Sequence, residues 1–261
     1  MKAFGVQMDV AWQDPATNLA RAEARVRAAA AVGARLVALP EMFATGFHMD
    51  PAQAASARGE TEARLSALAA ELGVAIVAGS AEAPPGERGV NVALALGPDG
   101  RLWSRYEKIH PFSFAGEHER YRGGEALAGF TLDGVRVALY VCYDLRFAEI
   151  FRAAADTTDL MVVVANWPSP RRHAWRSLLI ARAIECQCYV LGVNRVGEGG
   201  GLLYSGDSTL VDPLGEVLAS AADVEALVGG EVSAEKVAEV RARFPFLADR
   251  RPAVYARLRG E

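Results

Sequence analysis

The stretches ALALGPDGRLW (93–103) and STLVDPLGEVL (208–218) share one plan: an apolar run, a turn carrying Pro and Gly, and a second short apolar run. Pro presets the backbone angle that opens a tight turn, and Gly accepts the left-handed angle that closes one, so each stretch reads as a β-hairpin. Working outward, a further apolar run precedes each hairpin, GVAIVAGS (73–80) before the first and CYVLGVN (188–194) before the second. One unit is written twice at a period too long for a solenoid, which predicts two pseudo-equivalent halves. The rest of the chain fits the same alternation. Strands are expected at 3–8, 35–39, 74–79, 90–96 and 102–106, then at 135–141, 160–165, 189–193, 208–211 and 217–218. Helices are expected from Asn18 to Val32, Thr61 to Leu72, Phe147 to Ala155 and Arg172 to Gln187. Strands apolar on both faces need helices over them, so the fold class is layered α/β.

No linker or low-complexity tract interrupts this pattern, and a single domain over 1–261 is expected. A helix beginning after Ser233 is expected to end near Phe244. The arginine-rich tail 244–261 reads as turn-like, placed to wrap its own surface or a partner subunit.

The 261 residues are 51% apolar and 23% charged, with a net charge of −4. An acidic chain lacks the clustered positive charge that nucleic acid or an anionic membrane requires, so neither partner is expected. Gln7 and Asp9 interrupt any secretory pattern in MKAFGVQMDV (1–10), and no apolar run approaches the length of a membrane span, so a cytoplasmic location is expected. Cys142, Cys186 and Cys188 are too few for a disulfide framework, and His48, His110, His118 and His173 show no metal-ligand spacing. No metal is expected.

Of 28 basic residues only Lys2, Lys108 and Lys236 are lysines. Arginine serves the generic surface positions here, so a mid-chain lysine calls for a reason of its own, such as a compact point charge where a planar fork would not fit. Lys108, in SRYEKIHPF (104–112), follows a predicted strand, as do Glu41 in VALPEMF (37–43) and Cys142 in VALYVCYDLRF (137–147). Open α/β sheets gather their sites at such strand ends. Each residue alone has an ordinary reading: an inert buried thiol, a helix-end carboxylate, a surface charge. Together they form an acyl-transfer set. A thiol can attack a carbonyl, a carboxylate can take its proton and return it to a leaving amine, and an ammonium can hold the oxyanion.

PEMF around Glu41, YEKIH around Lys108 and VCYDLRF around Cys142, in that order and followed by ANWP (165–168), resemble the nitrilase, or carbon-nitrogen hydrolase, superfamily. The resemblance spans nearly the whole chain, including GDSTLVDPLGEVLA (206–219) and FPFLADRRP (244–252). It implies a four-layer αββα sandwich, assembly into a homodimer or higher homo-oligomer, and no cofactor. It further implies that Cys142 is the nucleophile, Glu41 the general base and then acid, and Lys108 the stabiliser of the tetrahedral intermediate. The backbone N–H of Tyr143 would be a second oxyanion donor, and Glu117, in FAGEHERY (114–121), a second carboxylate in the site.

Members that hydrolyse nitriles typically follow the cysteine with Trp-Glu, whereas this chain has Tyr143-Asp144. CYDLRFAEIFR (142–152), ANWPSPRRHAW (165–175) and ARAIECQCYVLGVNRVG (181–197) most resemble the omega-amidase group. That resemblance implies hydrolysis of a small omega-amide of the 2-oxoglutaramate or succinamate type to acid and ammonia through a thioester. Arg171 and Arg172, opening a predicted helix, are the candidates to grip the distal carboxylate. Phe43, Asn166 and Trp167 are candidate substrate contacts, with Phe112 and Phe114 as possible pocket walls. Asp144 and Arg146 are expected to pair with each other or with backbone, and Cys186 and Cys188 to pack. A general aliphatic amidase, an N-carbamoyl hydrolase or a nitrilase would use the same triad. A binding protein without turnover would have no use for the nucleophile.

Overall fold

Alternate residues along the first strands belong to different layers. In β1 (Lys2–Gln7), Ala3 packs toward a second sheet while Val6 packs toward helices; in β2 (Leu36–Leu39), Leu36 and Ala38 face the sheet and Val37 and Leu39 the helices. The pattern continues in β3 (Ala75–Glu82), where Ala75 and Val77 oppose Ile76 and Ala78. The computed structural model describes residues 1–260. Its remaining strands are β4 (Gly89–Leu96), β5 (Leu102–Glu107), β6 (Tyr121–Arg122), β7 (Gly129–Leu132), β8 (Val135–Val141), β9 (Leu160–Ala165), β10 (Tyr189–Asn194), β11 (Val196–Gly199), β12 (Leu202–Val211), β13 (Val217–Ala222) and β14 (Ala226–Glu231).

One sheet runs β14-β1-β2-β3-β4-β5 with β6 beside β4, and the other runs β11-β12-β10-β9-β8-β7 with β13 beside β12. Each half has the same logic: a parallel run (β1-β2-β3 and β8-β9-β10), then an antiparallel partner (β4 and β12) that makes the hairpin read from sequence with β5 or β13. The helices Pro15–Ala31 and Arg58–Leu72 cover the first sheet and Arg172–Cys186 the second, giving the αββα order. Helix Pro15–Ala31 starts where Asp14 caps the Thr17 N–H at 3.1 Å and Pro15 opens the first turn. It buries Leu19, Ala22, Val26 and Ala29, a single stripe at helical spacing. The sheets approach closely at Gly5, where a Cβ would come within 2.6 Å of a Val193 methyl.

Every expected strand and helix is present within a few residues, with Ser208–Val211 lengthened at its front to begin at Leu202. Four strands escape the sequence reading: β6, only two residues long, and β7, β11 and β14. The last three lie at or near sheet edges and carry Gly or exposed positions, so neither alternation nor an unbroken apolar run marks them. The tail is turn-like, as expected, only through residues 244–251; Pro252–Arg259 forms a helix with Pro at its start. The part of the tail expectation that concerns Glu261 lies outside the described residues.

Strand direction decides where the site lies. β2, β8 and β9 are parallel within their sheets, and β5, reached from β3 through two antiparallel steps, runs the same way as β2. Glu41, Lys108, Cys142 and Asn166 immediately follow these strands or are separated from them by one residue.

Candidate active site

Lys108 is buried with its ammonium between two buried carboxylates. Its Nζ donates to Glu41 Oε1 at 3.0 Å and to Glu117 Oε2 and Oε1 at 2.8 and 3.1 Å. Asn91, buried in β4, ties the same two carboxylates together, its Nδ2 donating to Glu41 Oε1 at 2.7 Å and to Glu117 Oε1 at 2.9 Å. The other Glu41 oxygen accepts the Asn166 backbone N–H at 2.9 Å. Glu117 also accepts the Phe112 backbone N–H, which closes the loop between Lys108 and Glu117. The backbone of Glu41 lies against Gly79, where a Cβ would meet the Glu41 Cα at 2.3 Å, so only glycine allows this approach.

Cys142 heads a tight turn, Cys142–Arg146, and sits in the left-handed region at φ 48°. A non-glycine residue there is strained and needs its surroundings to hold it. Its Sγ lies 3.9 Å from the Asn166 carbonyl oxygen. As second residue of the turn, Tyr143 has a backbone N–H with no acceptor inside the turn itself. Burial would push the Lys108 ammonium down, but Glu117 and Glu41 outweigh it and hold its pKa well above the ordinary value. Burial and the Glu41 carboxylate push the Cys142 thiol up, with Lys108 opposing them. The thiol thus lies beside the Glu41 carboxylate and the Lys108 ammonium.

A cavity of about 330 Å³ opens over these groups, lined by Glu41, Lys108 and Cys142 and walled by Trp12, Phe47, His48, Phe112, Trp167 and Tyr204 among others. Arg171 and Arg146 line it too. The Arg171 guanidinium lies 5.0 Å over the Phe112 ring and that of Arg146 4.8 Å over Trp167, and among the described residues neither side chain makes an ion pair. Trp167 is fixed by its own Nε1, which donates to the Arg171 carbonyl at 2.9 Å.

Three expectations need correction, and a fourth holds in part. Phe43 is fully buried among the helix-facing residues of the first sheet and does not line the cavity, because Met42 at φ 42° reverses the chain just after Glu41; Phe47 lines the cavity instead. Arg172 is turned away from the cavity and held by the buried Asp207 carboxylate at 2.9 and 3.0 Å. Of the two pairings expected at Asp144, the one with Arg146 is absent and the one with backbone is present, through the Val141 and His110 N–H groups. Phe114 projects outward, 86% exposed. The sequence reading missed Asn91, although an Asn inside the apolar strand GVNVALAL is a signal, since a polar side chain buried in a strand needs a partner. It also missed Trp12, His48 and Tyr204, which reach the cavity from segments far apart in the chain.

A sequence model of the carbon-nitrogen hydrolase family matches residues 5–242. The chain belongs to the carbon-nitrogen hydrolase family. It is 37% identical over 251 residues to omega-amidase YafV of Escherichia coli strain K12, covering 95% of this chain and 96% of that one. It is 33% identical over 253 residues to 2-oxoglutaramate amidase of Bacillus subtilis strain 168, covering 96% and 97%. Among solved structures, XC1258 from Xanthomonas campestris, described as a CN-hydrolase superfamily protein with an arsenic adduct in its active site, superposes with a TM-score of 0.87 at 37% identity, covering 96% of this chain and 97% of that one. The carbon-nitrogen hydrolase described here is thus an amide-hydrolysing enzyme of the nitrilase fold. Among the described residues no helix is long and apolar enough to cross a membrane.

One prediction follows from the three thiols of this hydrolase. Burial pushes all three thiols up, Cys186 to about 12, but the Cys186 and Cys188 side chains are fully buried whereas Cys142 lines the cavity. Iodoacetamide should therefore alkylate Cys142 well before the other two, as read by peptide mass mapping. Equal labelling of all three would mean that the cavity does not give access to the thiol.

Proposed function

We propose that the enzyme hydrolyses the terminal amide of a dicarboxylic acid monoamide, of the 2-oxoglutaramate or succinamate type, to the acid and ammonia. The observation that carries this reading is the pair of guanidinium groups, Arg171 and Arg146, on the wall of a cavity whose floor is Glu41, Lys108 and Cys142. An unpaired cation beside an apolar wall suits a ligand with a carboxylate at its far end. The names of the two relatives, an omega-amidase and a 2-oxoglutaramate amidase, agree with it.

Glu41 takes the Cys142 proton as the sulfur attacks the amide carbon. The carbonyl oxygen becomes an oxyanion facing the Lys108 ammonium and the Tyr143 N–H. As the C–N bond breaks, Glu41 returns the proton to nitrogen and ammonia leaves, with the acyl group on sulfur as a thioester. A water molecule that gives its proton to Glu41 then attacks the thioester, and collapse of the second intermediate releases the acid and restores the thiol. Glu117 and Asn91 hold Lys108 and Glu41 in register throughout, a role their shared hydrogen bonds support.

Arg171→Ala should reduce kcat/KM for succinamate by on the order of 2–4 kcal/mol while changing butyramide hydrolysis far less. Arg146 is more exposed, at the mouth, and its alanine variant should show the same differential in smaller measure. Arg172→Ala should leave the ratio between the two substrates unchanged, since its guanidinium is engaged by Asp207. If the wild type shows no preference for the acidic amide, a general aliphatic amidase becomes the better reading. The proposal also places the chain, as one domain over 1–261, in a cytoplasmic homodimer with its tail from residue 244 at the interface; exposed Phe246 and Leu258 support that contact. Sedimentation of the full chain beside a variant truncated before Phe244 tests it.

A further inference from the structure

Glu41 and Lys108 are carried by the first sheet, whereas Cys142 is carried by the second. The two sheets meet through apolar side chains such as Ala38, Val77, Leu139 and Val163, and apolar contact is non-directional. A reacting geometry, however, must hold to within a fraction of an ångström. Something directional has to register one sheet against the other beside the nucleophile.

The Asp144 carboxylate occupies that position. It is fully buried and accepts four hydrogen bonds on two oxygens. Oδ1 takes the His110 backbone N–H at 3.0 Å and the His110 ring at 2.9 Å; Oδ2 takes the Tyr106 hydroxyl at 2.8 Å and the Val141 backbone N–H at 3.1 Å. Tyr106 and His110 flank Lys108 in the first half of the molecule, and Val141 immediately precedes Cys142 in the second. Burial and the Asp144 charge push the Tyr106 phenol up, so it is a donor throughout the working pH range. The His110 ring is in turn stacked on Phe147, 3.7 Å between centroids, at the far end of the nucleophile's turn. With one backbone N–H on each oxygen, His110 on Oδ1 and Val141 on Oδ2, only a carboxylate satisfies both: an asparagine would turn its N–H₂ group toward one of these donors.

We propose that Asp144 is a positioning residue, which registers the strained Cys142 turn of one sheet against the Lys108 segment of the other. It touches no reacting atom. The inference rests on the roles proposed for Cys142 and Lys108, and extends them by naming what sets their separation.

Asp144→Asn should lower kcat for succinamate by about a hundredfold with KM within about threefold of wild type. The second readout needs no substrate: the pH dependence of Cys142 alkylation by iodoacetamide. Lys108 favours the thiolate against Glu41, Glu117 and burial, so displacing it should move the alkylation midpoint to higher pH. Asp144→Asn should produce that upward shift, and should add little to it in a Lys108→Ala background, because both changes remove the same ammonium from the same sulfur. A residue that merely stabilised the fold would leave the midpoint in place. Where Asp144→Asn does not fold, Tyr106→Phe keeps the carboxylate and removes one donor; it should lower kcat by about tenfold with KM little changed. An Asp144→Asn enzyme with wild-type kcat and alkylation midpoint, shifts that add in full over Lys108→Ala, or a Tyr106→Phe enzyme with wild-type kcat would each overturn the proposal. A wild type that alkylates as expected but ignores succinamate would instead count against the substrate.

Discussion

Cys142→Ala is expected to abolish turnover, with a loss on the order of 10⁴-fold or more in kcat and with unfolding behaviour close to wild type. In the proposed mechanism the sulfur is the atom that carries the acyl group, and neither neighbouring group is free to replace it: Glu41 is engaged by Asn91, Lys108 and Asn166, and Lys108 is held as an ammonium between two carboxylates. The fold should tolerate the change. The thiol's contact to protein is a long one, 3.9 Å to the Asn166 carbonyl, and alanine inherits the same left-handed backbone that cysteine already bears. Steady-state ammonia release measures the first part and a thermal melt the second. Activity above about a hundredth of wild type would exceed what oriented binding alone leaves, and the covalent route would be wrong.

Lys108→Arg is expected to be nearly as damaging as Lys108→Ala, although it keeps the charge. The ammonium makes contacts of 2.8–3.1 Å with both carboxylates and lies 5.4 Å from the centre of the Phe47 ring, on a side chain that is almost entirely buried. A planar guanidinium is broader and directs its donors in a fixed fork, so it cannot place one nitrogen at that point without displacing Glu41 or Glu117. Lys108→Ala fails for a second reason. It leaves two buried carboxylates bridged by Asn91 with no cation between them to offset their repulsion. Breaking a buried pair in this way also destabilises by about 3–5 kcal/mol, so both variants should melt earlier. If Lys108→Arg keeps kcat within about tenfold of wild type, the lysine acts only as a diffuse field and its place at the oxyanion is wrong.

Much of the site is legible in the sequence because its chemistry sits at strand ends, and strand ends follow from apolar runs. Lys108 stood out for a compositional reason, as a lysine in a chain that otherwise uses arginine. The adjacent pair Arg171 and Arg172 shows where such reading stops. The two differ by one step of a helical turn, which sends one guanidinium over Phe112 and the other to Asp207, a residue 35 positions further along. Phe43 and Phe47 make the same point, since a single left-handed residue, Met42, decides which ring reaches the cavity. For Asp144 the sequence suggests only Arg146 or backbone as a partner, whereas Tyr106 and His110, which also bond it, lie 38 and 34 positions away.

By itself the sequence determined the duplicated half, the layered arrangement of strands and helices, and which polar residues stand at the strand ends. Those features depend on the period of apolar positions and on turn residues, and both act over a few neighbours. Only the tertiary structure decided that Glu41 and Lys108 of one sheet meet Cys142 of the other, that Asn91 joins two carboxylates, and that Arg171 rather than Arg172 faces the cavity. Glu41 and Asn166 are 125 residues apart and meet at 2.9 Å because two sheets pack face to face. That packing sets where side chains from distant segments converge, and periodicity along the chain carries no record of it.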